Sequence, residues 1–155
     1  MMNVSIDLPT EHDTEKRAAQ LSLCLQAPLI LTFKGEIGVG KTTFIRALLK
    51  SLGVGVAIKS PTFSLVESYQ GIDLQIHHFD LYRIHDLSEL DYIGFRDYFG
   101  DHAICCIEWP ERAGSYLSST DIQFTLNLKG AGREMTISAV SSAGMEVLSC
   151  LLGGS

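Results

Sequence analysis

Apolar positions along the chain fall into short runs broken by glycine, proline and charge, and their spacing switches between strand and helix periods. Val4–Leu8 reads as a short first strand. Thr10 is placed as an N-cap with Asp13 three residues on, and Ala18, Leu21 and Leu25 recur at helical spacing, predicting a helix over about 11–26. Leu29–Phe33 is an apolar run suited to a buried strand. Gly35–Gly40 follows as a glycine-punctuated loop, and from Lys41 the residues Phe44, Leu48 and Leu52 share one helical face until Gly53.

Thr62–Tyr69 and Leu74–Asp80 are rich in strand formers and flank a turn at Gly71, which reads as an antiparallel hairpin. Short helices are expected over Ser88–Tyr92 and near Phe95–Phe99. Ala103–Trp109 is a second apolar run, too short for a buried helix and suited to a central strand. Ile122–Leu128 and Glu134–Val140 form a closing hairpin around Gly130–Gly132, followed by a helix from about Ala143 to Leu152. The expected architecture is α/β with a mixed sheet, because some connections are too short for parallel crossovers. With no repeat, low-complexity tract or linker, residues 1–155 are expected to form one domain.

Hydrophobic residues make up 46% of the chain and charged ones 19%, enough apolar material for a core and a composition unlike a disordered chain. No stretch approaches the roughly 20 apolar residues of a membrane span. Met1–Pro9 lacks the basic and apolar regions of a signal peptide, so a cytoplasmic protein is expected. Cys24, Cys105, Cys106 and Cys150 contain no C-x-x-C pair, and all four are expected as reduced core residues. The net charge of −6 argues against broad, unaided binding to nucleic acid.

The strongest chemistry lies in Gly35-Glu36-Ile37-Gly38-Val39-Gly40-Lys41-Thr42, which satisfies G-x-x-x-x-G-K-[ST] between a predicted strand and a predicted helix. Glycines let the backbone curl until successive N–H groups point inward, and the helix N-terminus adds positive potential. Lys41 would reach the β and γ phosphates of ATP, and the Thr42 hydroxyl would ligate Mg²⁺. Such sites also need an acid at the end of a neighbouring strand. Asp80 ends one apolar run and Glu108 another, so both are candidates. Thr62, in Ser60-Pro61-Thr62-Phe63, lies where nucleotide switches place a γ-phosphate sensor.

Other residues carry weaker signals. Adjacent His77 and His78 face opposite sides of a strand, which suits packing or a surface role better than one metal. Trp109 could stack near the nucleotide, dock a partner or fill the core. Arg83, Arg96, Arg112 and Arg133 are candidate charge stabilisers. No Asn-Lys-x-Asp string supports guanine specificity. An ATPase, a small-molecule kinase and a nucleotide-gated binding module that hardly turns over all remain open at this level.

Four linked segments narrow the choice: Gly35 to Phe44, Ser60 to Glu67, His78-Phe79-Asp80-Leu81-Tyr82-Arg83, and Ile107-Glu108-Trp109-Pro110-Glu111-Arg112. In order and spacing they resemble the bacterial tRNA threonylcarbamoyladenosine biosynthesis ATPase family, TsaE. The resemblance covers almost the whole chain and implies a P-loop NTPase-like three-layer fold. It implies an ATPase using ATP and Mg²⁺ that supports formation of the threonylcarbamoyl group on adenosine 37 of tRNA. Its partners would be the transferase subunit and that subunit's inactive paralogue, which form a heterodimer, with tRNA contact indirect or weak. Carried over by position, the phosphate loop runs from Gly38 through Val39, Gly40, Lys41 and Thr42 to Thr43, and Thr42 and Glu108 are the metal ligands. Asp80 becomes a water-orienting or metal-supporting acid, Thr62 a switch-like residue, and Trp109 a residue of nucleotide response or docking. Thr14 and Arg133 match positions near the base or ribose. The loop departs from the commoner family wording at Glu36, Ile37 and Val39, which binding through backbone N–H groups should tolerate.

Overall fold

The computed structural model describes residues 2–54 and 65–153. Within them, seven strands hydrogen-bond into one sheet: β1 (Met2–Leu8), β2 (Leu29–Lys34), β3 (Val66–Gln70), β4 (Gln75–Asp80), β5 (Ala103–Glu108), β6 (Ile122–Lys129) and β7 (Gly132–Ala139). Their order across the sheet is β1-β7-β6-β2-β5-β4-β3. The central strands β6, β2, β5 and β4 run parallel, while β7 and β1 on one side and β3 on the other pair antiparallel.

The mixed pattern follows from the connections. Tight turns at Gly71 and Gly130 can only return the chain antiparallel, whereas β2 and β5 are parallel neighbours separated by a long excursion. All six residues of β5 are buried, as expected of a strand covered on both faces.

Helices α1 (Glu11–Ser22), α2 (Lys41–Ser51) and α4 (Ser142–Gly153) cover one face. Their apolar residues pack with Leu31, Phe33, Ile104 and Cys106. Stacked Phe33 and Phe124, with Phe44 of α2 tilted against both, mark the centre of that layer. Helix α3 (Ser88–Ile93) and two 3-10 segments, Phe95–Tyr98 and Pro110–Tyr116, cover the opposite face around Phe79, Leu90, Phe95 and Ile107. The result is a three-layer α/β fold. Among the described residues, no helix is long and apolar enough to cross a membrane.

Several expectations are corrected in detail. The first helix opens with the expected capping box, Thr10 accepting from the Asp13 N–H while Asp13 accepts from Thr10, but stops at Ser22 rather than near 26. Leu25 still packs against the core, from the loop that follows. Of the strand expected over Thr62–Tyr69, residues 62–64, Thr62 among them, lie outside the described residues, and β3 begins at Val66.

The largest correction concerns cysteine. Cys105 and Cys106 are buried free thiols, as expected, and burial pushes the Cys105 thiol up to about 12. Cys24 and Cys150 instead form a disulfide. The early end of α1 brings Cys24 beside α4, leaving the two Cα atoms 5.8 Å apart across 126 residues of sequence. A bond closing so long a loop restricts the unfolded chain, but it persists only under oxidising conditions. Cys150→Ser, or dithiothreitol on the parent, should lower stability by about 2 kcal/mol or more. In a thermal melt, oxidised parent and variant with indistinguishable midpoints would contradict this.

Candidate functional site

The loop from Gly35 to Gly40 leaves the end of β2 and feeds directly into α2, at the carboxyl ends of the parallel strands, where open α/β sheets bind ligands. Its path demands glycine. Gly40, at the N-cap of α2, has φ 108°, and Gly35 has φ 145°. A Cβ on Gly35 would lie 2.6 Å from the Leu126 carbonyl oxygen on β6 and 2.8 Å from Val39 Cγ1. Gly35→Ala should therefore cost about 2 kcal/mol or more through backbone strain and overpacking. Gly38→Ala, where a Cβ meets nothing within 4 Å, should cost less in denaturant unfolding.

The loop is pinned from β7 as well: Arg133 Nε donates to the Val39 carbonyl at 2.7 Å, while the Val39 side chain is buried in the core. Gly40 provides no side-chain cap to α2, and the first turn contains no acidic residue. The first N–H groups of that helix are thus left for an external acceptor, with the positive end of the helix dipole behind them.

Lys41 is only 4% exposed. Its ammonium donates to the Gly35 and Glu36 carbonyls and sits 3.9 Å from the Trp109 ring centroid. Burial lowers its pKa, opposed by the charges of Glu108 and Asp80. Next to it, Thr42 Oγ1 donates toward Glu108, 2.9 Å from each carboxylate oxygen. Glu108 ends β5 and is 3% exposed. The parallel register sets Asp80 of β4 directly beside it. Asp80 is exposed and accepts from the Tyr82 backbone N–H at 3.1 Å.

These groups line a cleft of about 600 Å³ that includes Lys41, Thr42, Asp80, Arg83, Glu108 and Trp109. A second hollow of about 280 Å³ shares Gly40, Thr43 and Arg133 with it and extends to Thr10, Thr14 and Gly132. Of the residues expected near phosphate, Gly38, Lys41 and Thr42 line the cleft alone, whereas of those expected near base or ribose Thr14 lines only the hollow and Arg133 lines both. A larger depression of about 720 Å³ opens at the other end of β4 and β5, around His77 and Tyr98. It contains no part of the glycine loop.

Trp109 follows Glu108 in the left-handed region, with φ 58°, and its N–H donates to the Phe33 carbonyl. Its ring stands 5.0 Å from that of Tyr82. The Arg112 guanidinium lies over both rings, whereas Arg96 lies over Tyr116. Of the four arginines, only Arg83 and Arg133 line the cleft.

Sequence reasoning missed His78. Expected to pack or to lie at the surface, it is buried, and its Nε2 lies 2.6 Å from Glu108 Oε2. The available signal was spacing: His78 is two residues before Asp80, on the same face of β4. His77, on the other face, hydrogen-bonds Ser68 through Nδ1 at 2.7 Å and behaves as the packed residue expected.

Known proteins are similar to this chain in fold and in sequence. The Bacillus subtilis YdiB crystal structure superposes with a TM-score of 0.76 at 25% identity, covering 98% of this chain and 95% of that one. A tRNA threonylcarbamoyladenosine biosynthesis protein TsaE from Haemophilus influenzae is 36% identical over 83% of this chain and 82% of its own. Proteins of that name from Bacillus subtilis and Treponema pallidum are 33% and 32% identical, covering 82% and 81% of this chain and 80% and 93% of theirs. The family model for threonylcarbamoyl adenosine biosynthesis protein TsaE matches residues 8–135, a span that holds the glycine loop, both strand-end acids and Arg133. With that match and these relatives, the chain belongs to the TsaE family.

Proposed function

We propose that this protein is a Mg²⁺-dependent ATPase that supports formation of the threonylcarbamoyl group on adenosine 37 of tRNA. The observation that carries the reading is the meeting of Lys41, Thr42 and Glu108 where the glycine loop enters α2. The names of the relatives support the pathway, and the loop supports the chemistry.

ATP would lay its phosphates against the backbone N–H groups of Gly38, Val39, Gly40, Lys41, Thr42 and Thr43, with Gly35 shaping the turn. Lys41 would exchange two carbonyls and an indole face for phosphate oxygens, regaining a charged partner for an ammonium held out of water. Thr14 and Arg133 would face the base or ribose from the adjoining hollow.

The donor chemistry fits magnesium, because a hydroxyl and a carboxylate offer hard oxygens side by side. Among the described residues, no group of three or more His, Cys, Asp or Glu side chains could hold a metal alone, so phosphate and water would complete the shell. Thr42 and Glu108 would be its protein ligands; the ion, when bound, would neutralise charge on the phosphate oxygens. Asp80, beside Glu108 in register and open to solvent, would orient the attacking water. Trp109, touching Lys41 in the cleft, would register nucleotide arrival. Thr62 remains proposed as the switch residue from its sequence position alone.

In this reading the isolated chain hydrolyses ATP weakly. Docking on the heterodimer of the transferase subunit and its inactive paralogue would close the site, and tRNA contact would be indirect or weak. The net charge of −6 suits docking on protein better than gripping RNA. The test is phosphate release from γ-labelled ATP by the chain alone, with the heterodimer, and with tRNA added. Free phosphate rising when the heterodimer is present is expected. Label ending on a small molecule would favour a kinase, and tight binding without release under every condition would favour a nucleotide-gated binding module.

A further inference from the structure

Glu108 is a carboxylate almost wholly removed from water, so its charge must be met by donors. Among the described residues it has two side-chain donors, Thr42 on the loop side and His78 on the β4 side. We propose that His78 is a positioning residue, whose Nε2–H holds the Glu108 carboxylate facing Thr42 and thereby sets the affinity of the site for a divalent cation. The inference rests on the reading of Thr42 and Glu108 as the cation-holding pair.

The geometry favours holding over filling. Parallel pairing aligns His78 with Cys106 and Asp80 with Glu108, so the imidazole lies one pleat behind the acid on the same sheet face. The ladder fixes the spacing of the two backbones, and the imidazole closes the remaining distance to 2.6 Å. The Thr42 hydroxyl has a single hydrogen, now shared between both carboxylate oxygens at 2.9 Å. With a cation at the site, the Thr42 oxygen would serve the ion as well as Glu108, whereas the His78 donor would serve Glu108 alone. His78 then remains as the fixed donor, and donors behind a metal-binding carboxylate typically govern affinity about 10–100-fold.

Two measurements test this. Imidazole ¹⁵N–¹H spectra of the metal-free, nucleotide-free parent should show His78 protonated at Nε2, with a hydrogen-bonded proton signal that Glu108→Ala shifts. A His78 protonated only at Nδ1 would overturn the proposal. Calorimetry with ADP, with and without Mg²⁺, supplies the second. His78→Phe, which keeps a ring but no donor, should retain metal-free ADP affinity and lose about tenfold or more of the Mg²⁺ enhancement. His78→Gln, which keeps an N–H donor, should recover most of it. Parent-like enhancement in the Phe variant, or equal losses in both, would overturn the proposal. A parent that binds no nucleotide would refute the cation-site reading itself, while the tautomer would still decide whether His78 holds Glu108.

Discussion

Lys41→Ala should lower phosphate release about 100-fold or more, the usual cost of deleting one preorganised donor to transferring charge. The loss should be one of function and not of folding. Lys41 is 4% exposed, so its ammonium is held at a desolvation cost, and its removal frees the carbonyls of half-buried Gly35 and exposed Glu36. Trp109 is the only tryptophan, and the ammonium rests on its ring, so fluorescence reads the exchange directly. Nucleotide should change parent emission and leave the variant nearly unchanged. A folded variant hydrolysing ATP at the parent rate would remove Lys41 from the mechanism.

Glu108→Gln should be nearly as severe, for a different reason. The substitution keeps size and a hydrogen-bonding oxygen for Thr42 but removes the negative charge that a divalent cation requires. Turnover should fall about 100-fold, and excess Mg²⁺ should restore part of it. Asp80→Asn separates the two acids. Asp80 makes no hydrogen bond to Thr42 and stands open to solvent, so its loss should lower turnover while leaving Mg-nucleotide affinity near the parent value. Steady-state kinetics across Mg²⁺ concentrations distinguishes them, and a Glu108→Gln variant with parent Mg²⁺ dependence would contradict the assignment.

The parts legible in sequence were those written in local pattern. The glycine loop, the capping box of α1, the buried run of β5 and both hairpins each declare themselves within about ten residues, because their backbone geometry demands particular residues at fixed spacing. The two strand-end acids were legible for the same reason. Their different surroundings were not, since Glu108 is buried against Thr42 and His78, both distant in sequence, while Asp80 is exposed.

What escaped was long-range pairing. His78 and Glu108 are 30 residues apart and meet only because β4 and β5 adopt one register among several a parallel pair could take. Cys24 and Cys150 meet only because α1 ends before the periodicity of Leu25 suggests and α4 returns alongside it. Arg133 reaches Val39 across 94 residues by the same kind of accident of topology. Periodicity fixes which face a residue occupies, whereas the neighbour on that face is decided by the sheet order.

Titration with Mg-ATP, followed by calorimetry and Trp109 emission together, tests the central claim most directly. Saturable one-to-one binding is expected, with an emission change that disappears in Lys41→Ala and an enhancement by Mg²⁺ that is largely lost in Thr42→Ala. Absence of heat and of any emission change at millimolar Mg-ATP would mean that the glycine loop of this chain does not hold a triphosphate.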